Sequence, residues 1–367
     1  MKTRYILCAL IIGLTGWWSC SDDDETLVPS DSVVTTIELP QGDHDYDMRI
    51  VDFYHRTGVY LLYKFSDKEI YYNVNNSWDV VYSDTTLILE MYTLGEYNYV
   101  RDGVFYMSNG DSCPLGVSYT ENGLWREVIV EGDQVSYTYE NVLWSGTFRV
   151  EEADEAHVGK QLTLLEDLFL GYYSDSVLRE AMPLKVLLGQ NLEYRSSNRF
   201  LQENYRVNFN NLIFNYGNET VDALTVSQKK TIKSELNLWF ITERIKPDLS
   251  FDDFWAVSTY NWSTSAGRPS TATSYELGYI VRPTTSTGAL YKNSDLLNYL
   301  SMIVNNSYET LTVQPVSGDY NATDYTGILH PDKDTRGLIR QKYDILISVF
   351  KKAGIDLQAI GNHVIVN

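Results

Sequence analysis

The chain has 367 residues, 44% of them hydrophobic, and carries 29 basic residues against 49 acidic ones for a formal net charge of −20. A surface of that sign repels phosphate backbones, which argues against nucleic acid as a partner. The three cysteines, Cys8, Cys20 and Cys113, are too few for a disulfide framework or a zinc-finger cluster, and the apolar fraction is that of a globular protein that folds without either.

Residues 1–19 read as a secretory signal, since Lys2 and Arg4 precede an apolar run from Tyr5 to Trp18 that is too short to span a bilayer comfortably. Ser19 then stands directly before Cys20, and Ser21 to Glu25 are polar and acidic. This arrangement resembles a bacterial lipoprotein signal, in which Cys20 becomes the acylated first residue of the mature chain. Trp17 and Trp18 depart from the Leu-like and small residues that such signals prefer. The acids after Cys20 also resemble the export tag of surface-exposed lipoproteins in gut-dwelling outer-membrane bacteria. An outward-facing, lipid-anchored protein of the outer membrane is therefore expected, with a cleaved soluble protein as the alternative. Residues 20–36, rich in acid, Ser and Thr, read as a flexible tether.

A mostly β-rich region is expected over 37–150. It opens with a short helix in HDYDMRIVDFYHRTG, stopped by Gly58, and with a strand in VYLLYKF. From Asp84 to about Val150, runs of Tyr, Val, Leu and Thr are punctuated by LGEY, RDGV, SNGDSCPLG, ENGLW, EGDQ and WSGT, the spacing of a meander of hairpins, with Cys113 in a turn. From 151 to 367 the pattern becomes mixed. Leu162, Leu164, Leu165 and Leu168 mark one helix, and another is expected around Ser176 to Ala181. MPLKVLLG and NLIFNYG read as buried strands, and Thr225 with Gln228 forms a T-x-x-Q capping box ahead of a long helix. Further helices are expected at FDDFWAV, NSDLLNYLSMIVNN and GLIRQKYDILISVFKKAG, the last stopped by Gly354. The whole is α+β.

Three segments, LPQGDHDYDMRIVDFYHRTGVYLLYKF, LLEDLFLGYYSDSVLREAMPLKVLLG and IRQKYDILISVFKKAGIDLQAI, together about a third of the chain, resemble a family of zinc-binding metallopeptidase-like lipoproteins with a zincin-like fold. In that family, activity resides in H-E-x-x-H on a helix, where two histidines hold zinc and the glutamate activates a water. The matching stretch here is Ser234-Glu235-Leu236-Asn237-Leu238, so the resemblance keeps Glu235 and loses both histidines. The family's third ligand, an acid from E-D-F-A-E, falls on Asn298 in Ser294-Asp295-Leu296-Leu297-Asn298, with Asp295 retained. The resemblance thus implies a degenerate member with no metal, Glu235 as a relic, and Ser234, Leu238 and Asn298 as vacated ligand positions.

No other chemistry is written in the chain. His44, His55, His157, His330 and His363 lack metal-ligand spacing, and no G-x-S-x-G, G-x-G-x-x-G or P-loop occurs. Asp43, Asp45 and Asp47 around His44 are expected to form a solvated acidic helix start rather than an ion site. The pair Asp252 and Asp253 reads as a helix N-terminus rather than a glycosidase dyad. A peptidase homologue without catalysis, with no cofactor, serving as a binding or scaffold component at the cell surface, is the expected function, with membrane association through Cys20 and a peptide, protein or glycan as ligand. Two alternatives stay open: an active zinc peptidase with ligands not evident in the sequence, and a glycan-binding lipoprotein using the aromatics of SFDDFWAVSTYNWSTS and ENGLWREV among its 29 tyrosines and 8 tryptophans.

Overall fold

The computed structural model describes residues 37–66, 69–70, 148–196, 199–208 and 210–365, and between 87 and 144 the backbone of the strands. The signal at 1–19, Cys20 and the tether at 20–36 lie outside the described residues, as do the side chains of ENGLWREV. The architecture is α+β, as expected.

Helix α1 (Asp47–Thr57) buries Ile50 and Phe53 and stops at Gly58, whose φ of 75° lets its N–H reach the Tyr54 carbonyl. The start of α1 departs from the expected solvated acidic cluster. Asp47 is only 2% exposed, because its carboxylate accepts from Tyr63 Oη at 2.9 Å and from the His44 backbone N–H at 2.8 Å. It is a buried anchor for the turn that begins the helix.

Strand β1 (Tyr60–Leu62) follows. Seven strands of the intervening segment form two antiparallel groups. One runs β2-β8-β7-β6, from β2 (Leu87–Glu96), β8 (Gln134–Trp144), β7 (Leu124–Glu131) and β6 (Ser118–Tyr119); the other runs β3-β4-β5, from β3 (Tyr99–Arg101), β4 (Val104–Tyr106) and β5 (Ser112–Pro114). Register pairs Arg101 with Val104 and Glu131 with Gln134, so β3 with β4 and β7 with β8 are antiparallel neighbours in sequence order. Cys113, expected in a turn, instead pairs with Phe105 in β5. The dense turn signals around it hid a strand three residues long.

Strand β10 (Lys185–Ser196) is the hub. Its first half lies parallel to β1 on one side, with Tyr60 opposite Lys185, and parallel to β13 (Asn211–Phe214) on the other, while β12 (Tyr205–Asn208) adds antiparallel to β13. Strands on both sides of residue 150 therefore belong to one sheet, of order β1-β10-β13-β12. Val186, Leu187, Leu188, Leu212, Ile213 and Phe214 are all fully buried, as expected of strands covered on both faces. At Gly189 the strand changes partners, and its second half pairs with β9 (Phe148–Glu152) and β11 (Arg199–Gln202). A Cβ at Gly189 would lie 2.6 Å from Val150 Cγ2, so only glycine allows this close approach.

Helix α2 (Glu155–Leu168) is capped by Asp154 and packs on the sheet through Val158, Leu162 and Leu165. From it Gln161 Nε2 donates to three carbonyls where the parallel ladder ends, those of Gly189 (2.9 Å), Phe214 (3.0 Å) and Asn215 (2.9 Å). Helix α3 (Asp175–Ala181) follows. Helix α4 (Val226–Trp239), with its capping box, continues as a π-helix through Phe240–Ile245. After α5 (Asp252–Ala256), α6 (Gly288–Asn305) and α7 (Tyr308–Thr312) come α8 (Leu338–Lys352) and α9 (Leu357–Asn362). No helix among the described residues is long and apolar enough to cross a membrane.

The Gln161→Met substitution keeps the volume and removes the donor. It is expected to cost about 1–3 kcal/mol of unfolding free energy, because the Phe214 and Asn215 carbonyls lose a buried donor while the Gly189 carbonyl keeps only the Gly217 N–H. Urea denaturation reads this directly, and a loss below about 0.5 kcal/mol would show that the carbonyls find other donors.

Candidate functional site

Helix α4 turns Ile232, Leu236 and Phe240 fully into the core and leaves Glu235 exposed, with Trp239 one turn further along at half burial. Glu235 Oε2 accepts from Asn204 Nδ2 at 2.6 Å, and Asn204 Oδ1 accepts in turn from Tyr216 Oη. Tyr216 sits at a φ of 79°, a left-handed conformation that costs a bulky residue energy and is held here by its neighbours. Tyr205 Oη donates to the Glu235 carbonyl at 3.4 Å. Strand β12 and helix α4 thus form the two walls of a groove of about 490 Å³ lined by Gln202, Asn204, Tyr205, Val207, Glu235 and Trp239 among others. Its lining carries two carboxylates, Glu203 and Glu235, and one guanidinium, Arg206. Burial first, and then the charges of Glu235, Glu203 and Glu243, push the Tyr205 phenol up to about 12.

The other positions singled out in the sequence have separate environments. Ser234 is half-buried, and Leu238 packs against the hydrophobic core. Between them Asn237 is fully buried, donating to the Leu168 (2.9 Å) and Lys233 (2.7 Å) carbonyls while accepting from Tyr173 Oη at 2.8 Å. Asn298 donates to Tyr291 Oη at 3.3 Å. A hydroxyl, an isobutyl group and a neutral amide do not fit zinc, which takes thiolate, imidazole or carboxylate donors. Among the described residues, no three His, Cys, Asp or Glu side chains group as a metal centre requires. Four of the five histidines instead pair with nearby carboxylates: His44 with Asp47 (3.2 Å) and Glu155 (3.1 Å), His157 with Asp154 (3.2 Å), His330 with Asp332 (3.5 Å) and His363 with Asp167 (3.6 Å). Asp252 and Asp253 are exposed at the start of α5, where Ser250 Oγ donates to Asp252 Oδ2 at 3.0 Å.

Asp295 proves to be structural. It and Lys342 of α8 are both 0% exposed, with Nζ 2.6 Å from Oδ2. The ammonium also donates to the Gly278 carbonyl (2.9 Å) and Tyr260 Oη (3.2 Å), and it lies 4.9 Å from the ring centres of both Phe254 and Tyr279. Burial pushes the Asp295 carboxyl up and the Lys342 ammonium down, against the attraction between them. Sequence reasoning passed over Lys342, yet a signal existed. It lies three residues after Ile339 and four before Leu346, on the apolar face of its helix. The aromatics of SFDDFWAVSTYNWSTS serve the same packing: Phe251, Phe254 and Trp262 are buried, and Trp255 Nε1 donates to the Lys292 carbonyl at 3.2 Å.

No family model matches the chain, and no curated protein does. Among solved structures, the crystal structure of a "putative zinc-binding metallo-peptidase" from Bacteroides caccae is similar at a TM-score of 0.32 and 12% identity, over 56% of this chain and 74% of that one. A likeness at that level leaves the chemistry to be read from the residues themselves.

Two measurements follow from these buried charges. Lys342→Met is expected to destabilise by about 3–5 kcal/mol because it strands Asp295, whereas Lys342→Met combined with Asp295→Leu returns to within about 1 kcal/mol of the parent or exceeds it. Equal losses in the single and double variants, by chemical denaturation, would refute that coupling. Burial also pushes Lys233, which donates to the Ile360 carbonyl at 2.5 Å, down to about 8. Its folded pKa lies below its unfolded one, so the unfolded chain holds the extra proton between pH 8 and about 10.4, and this residue's contribution to stability rises with pH across that window. The difference in stability between the parent and Lys233→Met should track that rise; a flat difference would contradict it.

Proposed function

We propose that the chain is a lipid-anchored protein of the outer-membrane surface, a metallopeptidase homologue without catalysis, that binds an extended polypeptide segment along β12 beside α4. The observation that carries the reading is the groove. Among the described residues β12 ends the sheet order, and a ligand strand laid beside such an edge gains main-chain hydrogen bonds while its alternate side chains drop toward the neighbouring helix. Gln202, Val207 and Trp239, which line the groove, offer that ligand polar and apolar contacts. Supporting the absence of catalysis, no His, Cys, Asp or Glu among the described residues groups with Glu235 as a metal centre requires, and one exposed carboxylate does little for peptide hydrolysis without a metal to acidify the water. The resemblance of residues 1–25 to a lipoprotein signal supports the anchor at Cys20 and the location, and the acidic stretch after it supports the outward orientation. Burial of Phe251, Phe254 and Trp262 removes most of the aromatic platform that a glycan reading of that segment needs.

The test selects peptides from a random display library on the purified protein, then resynthesises the best binders with N-methyl groups on alternate backbone amides. Binding should collapse in one of the two methylation phases and survive in the other, the signature of strand addition. Equal tolerance of both phases, or no enriched peptides, would overturn the reading. Zinc content by mass spectrometry after zinc loading and desalting is expected to be far below one per chain, and stoichiometric zinc with casein hydrolysis lost in Glu235→Ala would restore the enzyme. Cys20→Ser should abolish fatty-acid labelling and release the protein from membranes.

A further inference from the structure

The wall of the groove formed by α4 carries a carboxylate and an aromatic ring one helical turn apart, Glu235 and Trp239, and β12 contributes a second ring, Tyr205, with its centre 6.0 Å from that of Trp239 and inclined at 47°. Glu235, which lines the groove, is held in place by Asn204 through Oε2. The basic residue that lines the same groove is already satisfied. Arg206 pairs with Glu203 Oε2 at 2.7 Å and lies over the Phe148 ring at 4.8 Å, so both its charge and its planar face are occupied. Among the described residues neither Glu235 nor Glu243 forms an ion pair. Two tilted aromatic faces beside an unpaired carboxylate, in an open groove of about 490 Å³, make the setting in which a desolvated cation is attracted by ring quadrupole and charge together.

We infer that this groove is specific for a polypeptide bearing a lysine or arginine side chain, whose cation lies against the tilted ring pair of Trp239 and Tyr205 and is neutralised by Glu235. The inference rests on the strand-edge reading for its peptide context and on the Glu235, Trp239 and Tyr205 constellation for its chemistry. Under it, the Tyr216, Asn204 and Glu235 chain is a positioning device: the strained Tyr216 backbone places Asn204, and Asn204 fixes the carboxylate rotamer. A carboxylate free to rotate into solvent would lose side-chain entropy on gripping a cation, and one already held does not.

The experiment is an NMR titration of the purified protein with Nα-acetyl-L-lysine methylamide, following the indole N–H of Trp239, assigned by its absence in Trp239→Phe. The isosteric Nα-acetyl-L-norleucine methylamide serves as the uncharged control. The expected result is a saturable shift with the lysine probe that weakens about ten-fold with norleucine, and about two- to five-fold in Glu235→Gln, which keeps the bond from Asn204 but removes the charge. Equal binding of the two probes, or an unchanged affinity in Glu235→Gln, would overturn it. The failures are separable. Selected peptides that obey the alternating N-methyl pattern yet are indifferent to replacing lysine by norleucine leave the strand edge standing and remove the cation pocket. A lysine probe that binds while no peptide shows the alternating pattern leaves the pocket and removes the strand edge.

Discussion

A strand that leaves a parallel ladder inside the protein strands its carbonyls, and the way β10 solves this governs everything built around it. The carbonyl of Gly189, which also accepts from the Gly217 backbone N–H at 2.9 Å, and those of Phe214 and Asn215 at the end of β13 all take a hydrogen bond from Gln161 of α2. Asn215 completes the repair, accepting at Oδ1 from the backbone N–H groups of Leu192 (3.3 Å) and Tyr216 (2.9 Å) and donating to the Glu203 carbonyl at 2.7 Å. Two buried amides therefore set where α2 lies on the sheet and how the chain turns at Tyr216. The Asn204 contact with Glu235 depends on them, since the Asn215 backbone N–H donates to the Asn204 carbonyl at 3.1 Å. The groove inherits its geometry from a problem of backbone satisfaction far inside the core.

A second constraint holds the helical half. Two ions removed from water repay their desolvation only when the geometry is good and every lone pair is met; Asp295 and Lys342 pair at 2.6 Å within a box of aromatic rings, while Asp295 Oδ1 has no partner among the described residues. The rings do more than fill space. Phe254, Tyr260, Tyr279 and Tyr299 turn their faces or edges toward the ammonium, and Tyr260 adds a hydroxyl to the carboxylate at 2.5 Å. This pair fixes α6 and α8 in one register, because sliding either helix by a turn would leave a naked charge in hydrocarbon. It also accounts for part of the tyrosine-rich composition: a phenol packs like an apolar ring and still answers a buried charge.

The elements legible in the sequence are those whose local chemistry is decisive. Gly58 and Gly354 marked helix ends because their left-handed φ values of 75° and 80° suit a residue without a Cβ, and Thr225 with Gln228 announced α4 through a cap complete in four residues. MPLKVLLG and NLIFNYG were readable as strands because both their faces are buried. What stayed hidden depends on partners distant in sequence. The solvation of Asp47 turned on Tyr63, and the role of Asp295 turned on Lys342. The groove turned on β12, whose residues Tyr205–Asn208 show no alternation of burial that would announce a strand. Glu235 was singled out by its spacing to two absent histidines, and the side chains that now define its surroundings, Asn204, Tyr205 and Trp239, carry no motif at all.

The pairing of Tyr60 with Lys185 has a consequence for how the molecule comes into being. Strand β1 is made early and its ladder partner late, with the hairpins of β2 to β8 between them, so the central sheet cannot close while the chain is being delivered from its N-terminus. Hairpins have partners close at hand and form fast, whereas parallel contacts across a long intervening chain are slow because loop closure must precede any gain. Helix α1 and strand β1 must therefore wait with Ile50, Phe53 and Leu61 uncovered until β10 arrives. The sheet seals only once residue 185 is available to lie beside Tyr60.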